Sequence, residues 1–264
     1  MRGMDLKPTW YDAIAKRVSR RRYAPRSVPA ELRERLVAHI SAAGVLGGAR
    51  VCLVEDGGDS LFTGVLGRYG AVAGMPLTAA FIGREDAEGW SENDVGYLGE
   101  AFILEATDLG LGTCWIAGSF DKERAARVVG LESRERVVAI TPLGYATERQ
   151  PASEYLVRSA VRASARIPVE DLAPGILDGG WPQWAVTAVK AARLAPSGQN
   201  RQPWRFRLDG ASLVMSRAAK LYWTAPIDLG IARLHVELGA AHEGVRGTWH
   251  EMPAPDVARF PPRP

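Results

Sequence analysis

Cysteine is scarce in this 264-residue sequence: Cys52 and Cys114 stand sixty-two positions apart, each in an apolar run. They form neither a CxxC pair nor a disulfide framework, which fits a reducing cytoplasm. The N-terminus, MRGMDLKPTWYDAIAKR, lacks the apolar stretch of a secretion signal, and no run reaches the roughly 18 uninterrupted apolar residues of a spanning helix. The expectation is a chain that neither leaves the cell nor enters a membrane. No GxGxxG follows a strand-like run, so no Rossmann-type nicotinamide site is expected. His242-Glu243 and His250-Glu251 lack the i, i+4 histidine spacing of a zinc helix, and no metal site is expected. Cys114 has no histidine near it in sequence and reads as a small core residue rather than a nucleophile. A dominant charge is missing too. Lys and Arg number 33 against 30 Asp and Glu, a net +3, too even for a protein held to nucleic acid by counterion release.

What is present is an ordinary globular mix, 47% apolar and 24% charged, enough to bury a core without staples. The basicity is local. RVSRRRYAPR (Arg17 to Arg26) carries five arginines and no acid, a cluster that wants an anionic partner.

Along the chain, a helix is expected from Pro8 to about Ser19 and a second from Pro29 to Ala43. ARVCLVE (Ala49 to Glu55) and part of GAVAGMPLTAAFIG (Gly70 to Gly83) read as strands, apolar on both faces and hence central. Ser91 to Asp94 is a capping box, after which Val95, Leu98, Phe102, Ala106 and Leu109 recur at helical spacing until Gly110. VVAITPLGYA (Val137 to Ala146) reads as a buried strand broken by Pro142. A boundary near Asp178 divides the chain into halves, 1–177 and 178–264. The second half repeats the order: a helix from Pro182 to Leu194, a loop, strands at Trp204 to Leu208 and Leu213 to Ser216, and a helix from Asp228.

Shifting by 134 positions lays DVGYLGEAFILEATDLGLGTCW (Asp94 to Trp115) on DLGIARLHVELGAAHEGVRGTW (Asp228 to Trp249) without a gap, and six of twenty-two residues match. Helical amphipathicity accounts for leucine and alanine matches but not for the Asp-x-Gly start and the distal tryptophan together. An internal duplication is the expectation.

The loop LAPSGQNRQPWRF (Leu194 to Phe206) is the most informative segment. Pro196 and Pro203 fix φ, Gly198 allows close approach, and Ser197, Gln199, Asn200 and Gln202 supply hydroxyl and amide groups. Such a rim suits a polar heterocycle. The same residues also suit a plain helix-to-strand connection in which Asn200 and Gln202 bond the backbone.

This loop resembles the APSxxNxQPW signature of the FMN-dependent nitroreductase family, and RVSRRRY (Arg17 to Tyr23) resembles that family's N-terminal RRSxRxY. GLGTCWIAGSF (Gly110 to Phe120) and AITPLGY (Ala139 to Tyr145) are similar to its later GxGxxWxxG and PxGY segments. The resemblance implies an α+β, nitroreductase-like fold of mixed, mainly antiparallel sheets flanked by helices, binding FMN and drawing on NAD(P)H. Arg17, Ser19 and Arg21 match its phosphate residues, chemistry that guanidinium forks beside a hydroxyl can supply. Their spacing of two puts them on one side only if the chain is leaving its helix there. Arg166 falls where the family has a late basic residue, with Arg158 and Arg162 as competitors. Backbone amides along Trp115, Ile116, Ala117 and Gly118 are expected at the reactive edge of the flavin, and Pro142, Leu143 and Gly144 against its rings. Pro196, Ser197, Gly198, Asn200, Gln202 and Trp204 complete the cofactor set, and no catalytic side chain is implied.

The order of motifs departs from the family's. There the arginine helix and the PSxxNxQPW loop share one half-unit, and two chains pair around each flavin; here half the chain separates them, so that each half keeps what the other lacks. The implied function is an oxidoreductase passing electrons from NAD(P)H to a small electron-poor acceptor such as a nitroaromatic or quinone. The implied state is a monomer acting as a pseudo-dimer with one flavin. A flavin-binding protein without catalysis, and a flavin-free relic, are the alternatives.

Overall fold

The structure, a computed structural model, describes residues 4–42, 47–54, 77–85, 92–147, 165–220 and 222–263, together with Leu61, Val72 and Gly74. Arg158, Arg162 and Ser91 lie outside them.

The first half opens with helices α1 (Pro8–Lys16) and α2 (Ala30–Ala42). Proline in the first turn starts α1, and Trp10, Ala13 and Ile14 form its buried face. The helix stops at Lys16, earlier than the sequence suggested, because Arg17 turns to an extended ψ of 121°. Strands β1 (Arg50–Val54), β2 (Leu77–Arg84), β3 (Gly112–Thr113) and β4 (Glu135–Gly144) form an antiparallel sheet in the order β1-β2-β4-β3. Helices α3 (Glu92–Asp108) and α4 (Lys122–Val129) lie between its strands in sequence. A helical turn α5 (Val169–Leu172) ends the first half; the second has α6 (Gln183–Arg193), β5 (Trp204–Asp209), β6 (Ser212–Arg217), α7 (Ala225–His242), β7 (Arg246–Gly247), β8 (His250–Glu251), β9 (Asp256–Phe260) and β10 (Pro262–Arg263). Its strands order β5-β6-β9-β8, with β10 and β7 as an adjoining pair. Every ladder among the described residues is antiparallel, and the one parallel contact is the isolated bridge between Ser19 and Thr113.

Two expectations need correction. Among the described residues β1 is an edge strand, mostly half-buried, and not central. Its two apolar faces meet two different cores: Val51 and Leu53 touch the main one, Cys52 a smaller one around Leu61, Ala80, Ile82 and Phe120. β4 runs unbroken through Pro142. The neighbouring chain has left the ladder at that point, since Cys114 N donates to the Thr141 hydroxyl instead, and pairing resumes where Ile116 meets Ile140. A proline without an N–H is tolerated where a ladder bond is not required.

The main core runs through both halves, with α3 and α7 at its centre. The two helices meet through glycines. A Cβ on Gly96 would stand 2.0 Å from the Ile227 carbonyl oxygen, and one on Gly230 would stand 1.9 Å from that of Asn93. Because 96 and 93 become 230 and 227 on adding 134, each contact is the other with the halves exchanged, the pattern of a two-fold interface. The same shift carries β3 onto β7.

Candidate functional site

A cavity of about 440 Å³, within the range of small-ligand sites, opens between the halves. Its first wall is the segment after α1. Past Lys16 the chain runs extended beside β3: Arg20 N donates to Thr113 O at 2.7 Å, Ala24 N to Tyr145 O at 2.8 Å, and Thr147 N to Arg22 O at 3.1 Å. Side chains then alternate. Arg17, Ser19 and Arg21 line the cavity, while the stem of Arg20 covers Gly112 on the other side. Arg17 Nε and Arg21 Nη1 are buried without a hydrogen-bond partner among the described residues. The Glu100 carboxylate, 3.7 Å from Arg17 Nε, is too far to bond it. Arg166, just ahead of α5, joins them, held by Asn200 Oδ1 at 2.6 Å. Burial, then the charges of Arg17 and Arg193, bring its pKa down to about 10. The only carboxyl among the described lining residues is Asp228. Such a site wants an anion.

The second wall is Trp115, Ile116, Ala117 and Gly118, just past β3. Trp115 is fixed by donating Nε1 to Glu100 Oε2 at 2.7 Å. The other oxygen of Glu100, which is wholly buried on α3, faces His235 Nε2 on α7 at 3.0 Å. His235 Nδ1 lies 3.0 Å from Ala191 O near the end of α6, so this imidazole ties the second wall to the helix that leads into the third.

That third wall is the loop after α6, where Pro196, Ser197, Gly198 and Asn200 reach the cavity. Gln199, Asn200 and Gln202 hold φ of 54°, 56° and 48°, the left-handed region that non-glycine residues rarely adopt. The loop is pinned at both ends. Asp228 accepts from Gly198 N at 2.9 Å and from the Tyr222 hydroxyl at 2.8 Å, and burial, partly offset by these bonds, pushes its pKa up to about 7. Gln202 Oε1 accepts from Ile167 N at 3.0 Å.

Five residues expected at the cofactor do not line the cavity. Pro142, Leu143 and Gly144 are consumed by β4, whose backbone pairs β2 and β3. Gln202 spends its amide on Ile167 and Ala165, and Trp204 is wholly buried in the core. Asn200 serves both readings: it lines the cavity, yet its amide donates to Ala165 O and accepts from Arg166. Sequence reasoning missed Glu100, Arg201, Tyr222, Trp223 and, except as a helix start, Asp228. An acid inside the apolar run GEAFILEA was a legible signal for Glu100; nothing in sequence pointed to the others.

Among the described residues no three His, Cys, Asp or Glu stand as a metal-ligating group, and no helix is long and apolar enough to cross a membrane.

A family model described as "Putative TM nitroreductase" matches residues 9–240. A structure from Thermotoga maritima, described as a putative nitroreductase, is 21% identical with a TM-score of 0.64, covering 100% of this chain and 98% of its own. At that identity the likeness shows the fold. An FMN-dependent nitroreductase of Clostridium difficile is 22% identical with a TM-score of 0.44, over 52% of this chain and 88% of its own. A structure from Clostridium acetobutylicum described as a putative NADH oxidase is 21% identical with a TM-score of 0.45, over 53% and 90%. No curated protein matches the chain.

Proposed function

The chain belongs to the "Putative TM nitroreductase" family, and on that premise we propose that it is an NAD(P)H-dependent FMN oxidoreductase with one flavin in the cavity between its halves. The observation that carries the reading is the convergence of Arg17, Arg21 and Arg166 on one cavity, Arg17 and Arg21 each with a buried nitrogen that lacks a hydrogen-bond partner among the described residues. A phosphate dianion answers that need with short, charge-assisted bonds. Arg17, Ser19, Arg21 and Arg166 would hold the phosphate. The backbone of Ala117 and Gly118 would border the reactive edge of the ring, as in the resembled family, with Ser197, Gly198 and Asn200 at its polar rim. The chemistry that bound FMN supplies is transfer of reducing equivalents from NAD(P)H to a small electron-poor acceptor such as a nitroaromatic or quinone. No acid–base side chain is required; the protein's part is to orient the ring and keep one face open.

We also read the two halves, divided near Asp178, as a fused dimer. The exchanged glycine contacts, the shared shift of 134 and the repeated order of helices and strands support this. The expected state is a cytoplasmic monomer. FMN uptake followed by anaerobic addition of NADH or NADPH tests the function. Bleaching of the yellow protein and re-oxidation by a nitroaromatic or quinone is the expected result; a yellow protein inert to both nicotinamides, or one that takes up no FMN, overturns it.

A further inference from the structure

The mouth of the cavity is built differently from its depth. Residues 222–224 lead into α7, and Trp223 lines the cavity while 61% exposed. Its indole edge lies against Gly118: a Cβ there would be 2.8 Å from Trp223 Cζ2. Beside it, the Arg201 guanidinium carbon sits 4.5 Å above the Tyr222 ring, and Arg201 Nη2 donates to Gln199 Oε1 at 2.7 Å. Lys122, from the first half, places Nζ 6.0 Å from the Trp223 ring. Neither cation forms an ion pair among the described residues.

Among the described lining residues, one guanidinium remains beyond those that would face a phosphate. Arg17, Arg21 and Arg166 face the phosphate. Arg201 forms no ion pair among the described residues, and the one described lining carboxyl, Asp228, whose pKa the charge of Arg201 lowers, is committed to Gly198 and Tyr222 by hydrogen bonds. A flat ring can stack on the exposed indole, and the guanidinium fork over the ring of the preceding Tyr222 matches a carboxylate.

We propose that this mouth selects planar aromatic acceptors bearing a carboxylate, with Trp223 as the stacking surface and Arg201 as the group that engages the anion. The inference rests on the flavin reading for the redox step but on its own residues for recognition. Redox-inert benzoate and benzamide separate charge from shape. Calorimetric titration of the FMN-treated protein should show benzoate bound more tightly than benzamide. Arg201→Gln should weaken benzoate about tenfold, the loss of one charge-assisted bond, with Arg201→Lys restoring part of it. Trp223→Ala should weaken both ligands. In turnover, the preference for 4-nitrobenzoate over 4-nitrobenzamide should fall by the same factor in Arg201→Gln. Should that variant fail to fold, raising salt on the wild-type protein must weaken benzoate and spare benzamide. Equal affinity for the two ligands, equal losses in Arg201→Gln, or an effect confined to reduction by the nicotinamide would overturn the proposal. A protein that takes up no FMN yet prefers benzoate through Arg201 would overturn the flavin reading and leave this one standing.

Discussion

Arg21 Nη1 and Arg17 Nε lie buried without a hydrogen-bond partner among the described residues, and the energetic cost has to be met by what enters the cavity. Arg21→Ala should therefore weaken FMN binding about ten- to a hundredfold, Arg17→Ala with Arg21→Ala more, and riboflavin should barely notice; equilibrium titration of both ligands measures this. Asn200 acts through a neighbour, since its Oδ1 holds Arg166. Asn200→Ala and Arg166→Ala should thus be non-additive, the double variant losing no more FMN affinity than Arg166→Ala alone; additive losses would mean that Asn200 bonds the ligand independently. Of the site, the arginine face was legible because a spacing of two has a physical meaning once the chain is extended. The loop signature was only half legible. A motif mixes residues that face the ligand, such as Ser197 and Asn200, with residues that build the loop, such as Gln202 and Trp204, and spacing does not separate them. Trp223 was out of reach because it approaches Gly118 only through the packing of one half on the other.

At the scale of elements, the crossing of α3 and α7 depends on two missing methyl groups. In an exposed helix Gly→Ala stabilises by up to about 1 kcal/mol, but here the added carbon would meet a carbonyl oxygen of the facing helix. Gly96→Ala and Gly230→Ala should each destabilise by about 1–3 kcal/mol in denaturant unfolding. Gly180→Ala, with nothing within 4 Å of the added Cβ, is the control and should be near neutral. Both helices were legible from apolar spacing and their Asp-x-Gly starts, and Gly110 does follow the first as its stop, with φ of 78°. The strands were less so. Apolar residues on both faces marked β1 as buried, but a sheet edge covered on two sides gives the same pattern as a central strand. Pro142 suggested a break because a sequence does not show where a partner strand leaves the ladder.

For the whole molecule, two buried carboxyls set a pH dependence. Burial raises Asp228 from 3.8 and Glu237 from 4.5, each to about 7. Their protonated forms favour the folded state, so the stability they contribute is complete below the unfolded values and is lost as pH rises through about 7. Glu135, lowered chiefly by its bond to Arg50, and Asp256, lowered chiefly by Ser216, act oppositely and only in acid. Thermal melts should therefore show Tm falling between about pH 4 and pH 7, with the slope reduced in Asp228→Asn or Glu237→Gln; a flat or rising profile would contradict the assignment. Stoichiometry tests the fused-dimer reading: one FMN per chain and a monomer in light scattering are expected, and two flavins per chain would overturn it. The exchanged contacts at Gly96 and Gly230 carry a genetic consequence. When such an interface joins two copies, every substitution appears twice and must suit both sides at once. Here the codons for 96 and 230 are separate, so one half can gain an arginine or lose a loop motif without imposing the change on the other, and inheritance can act on the two sides of the molecule independently.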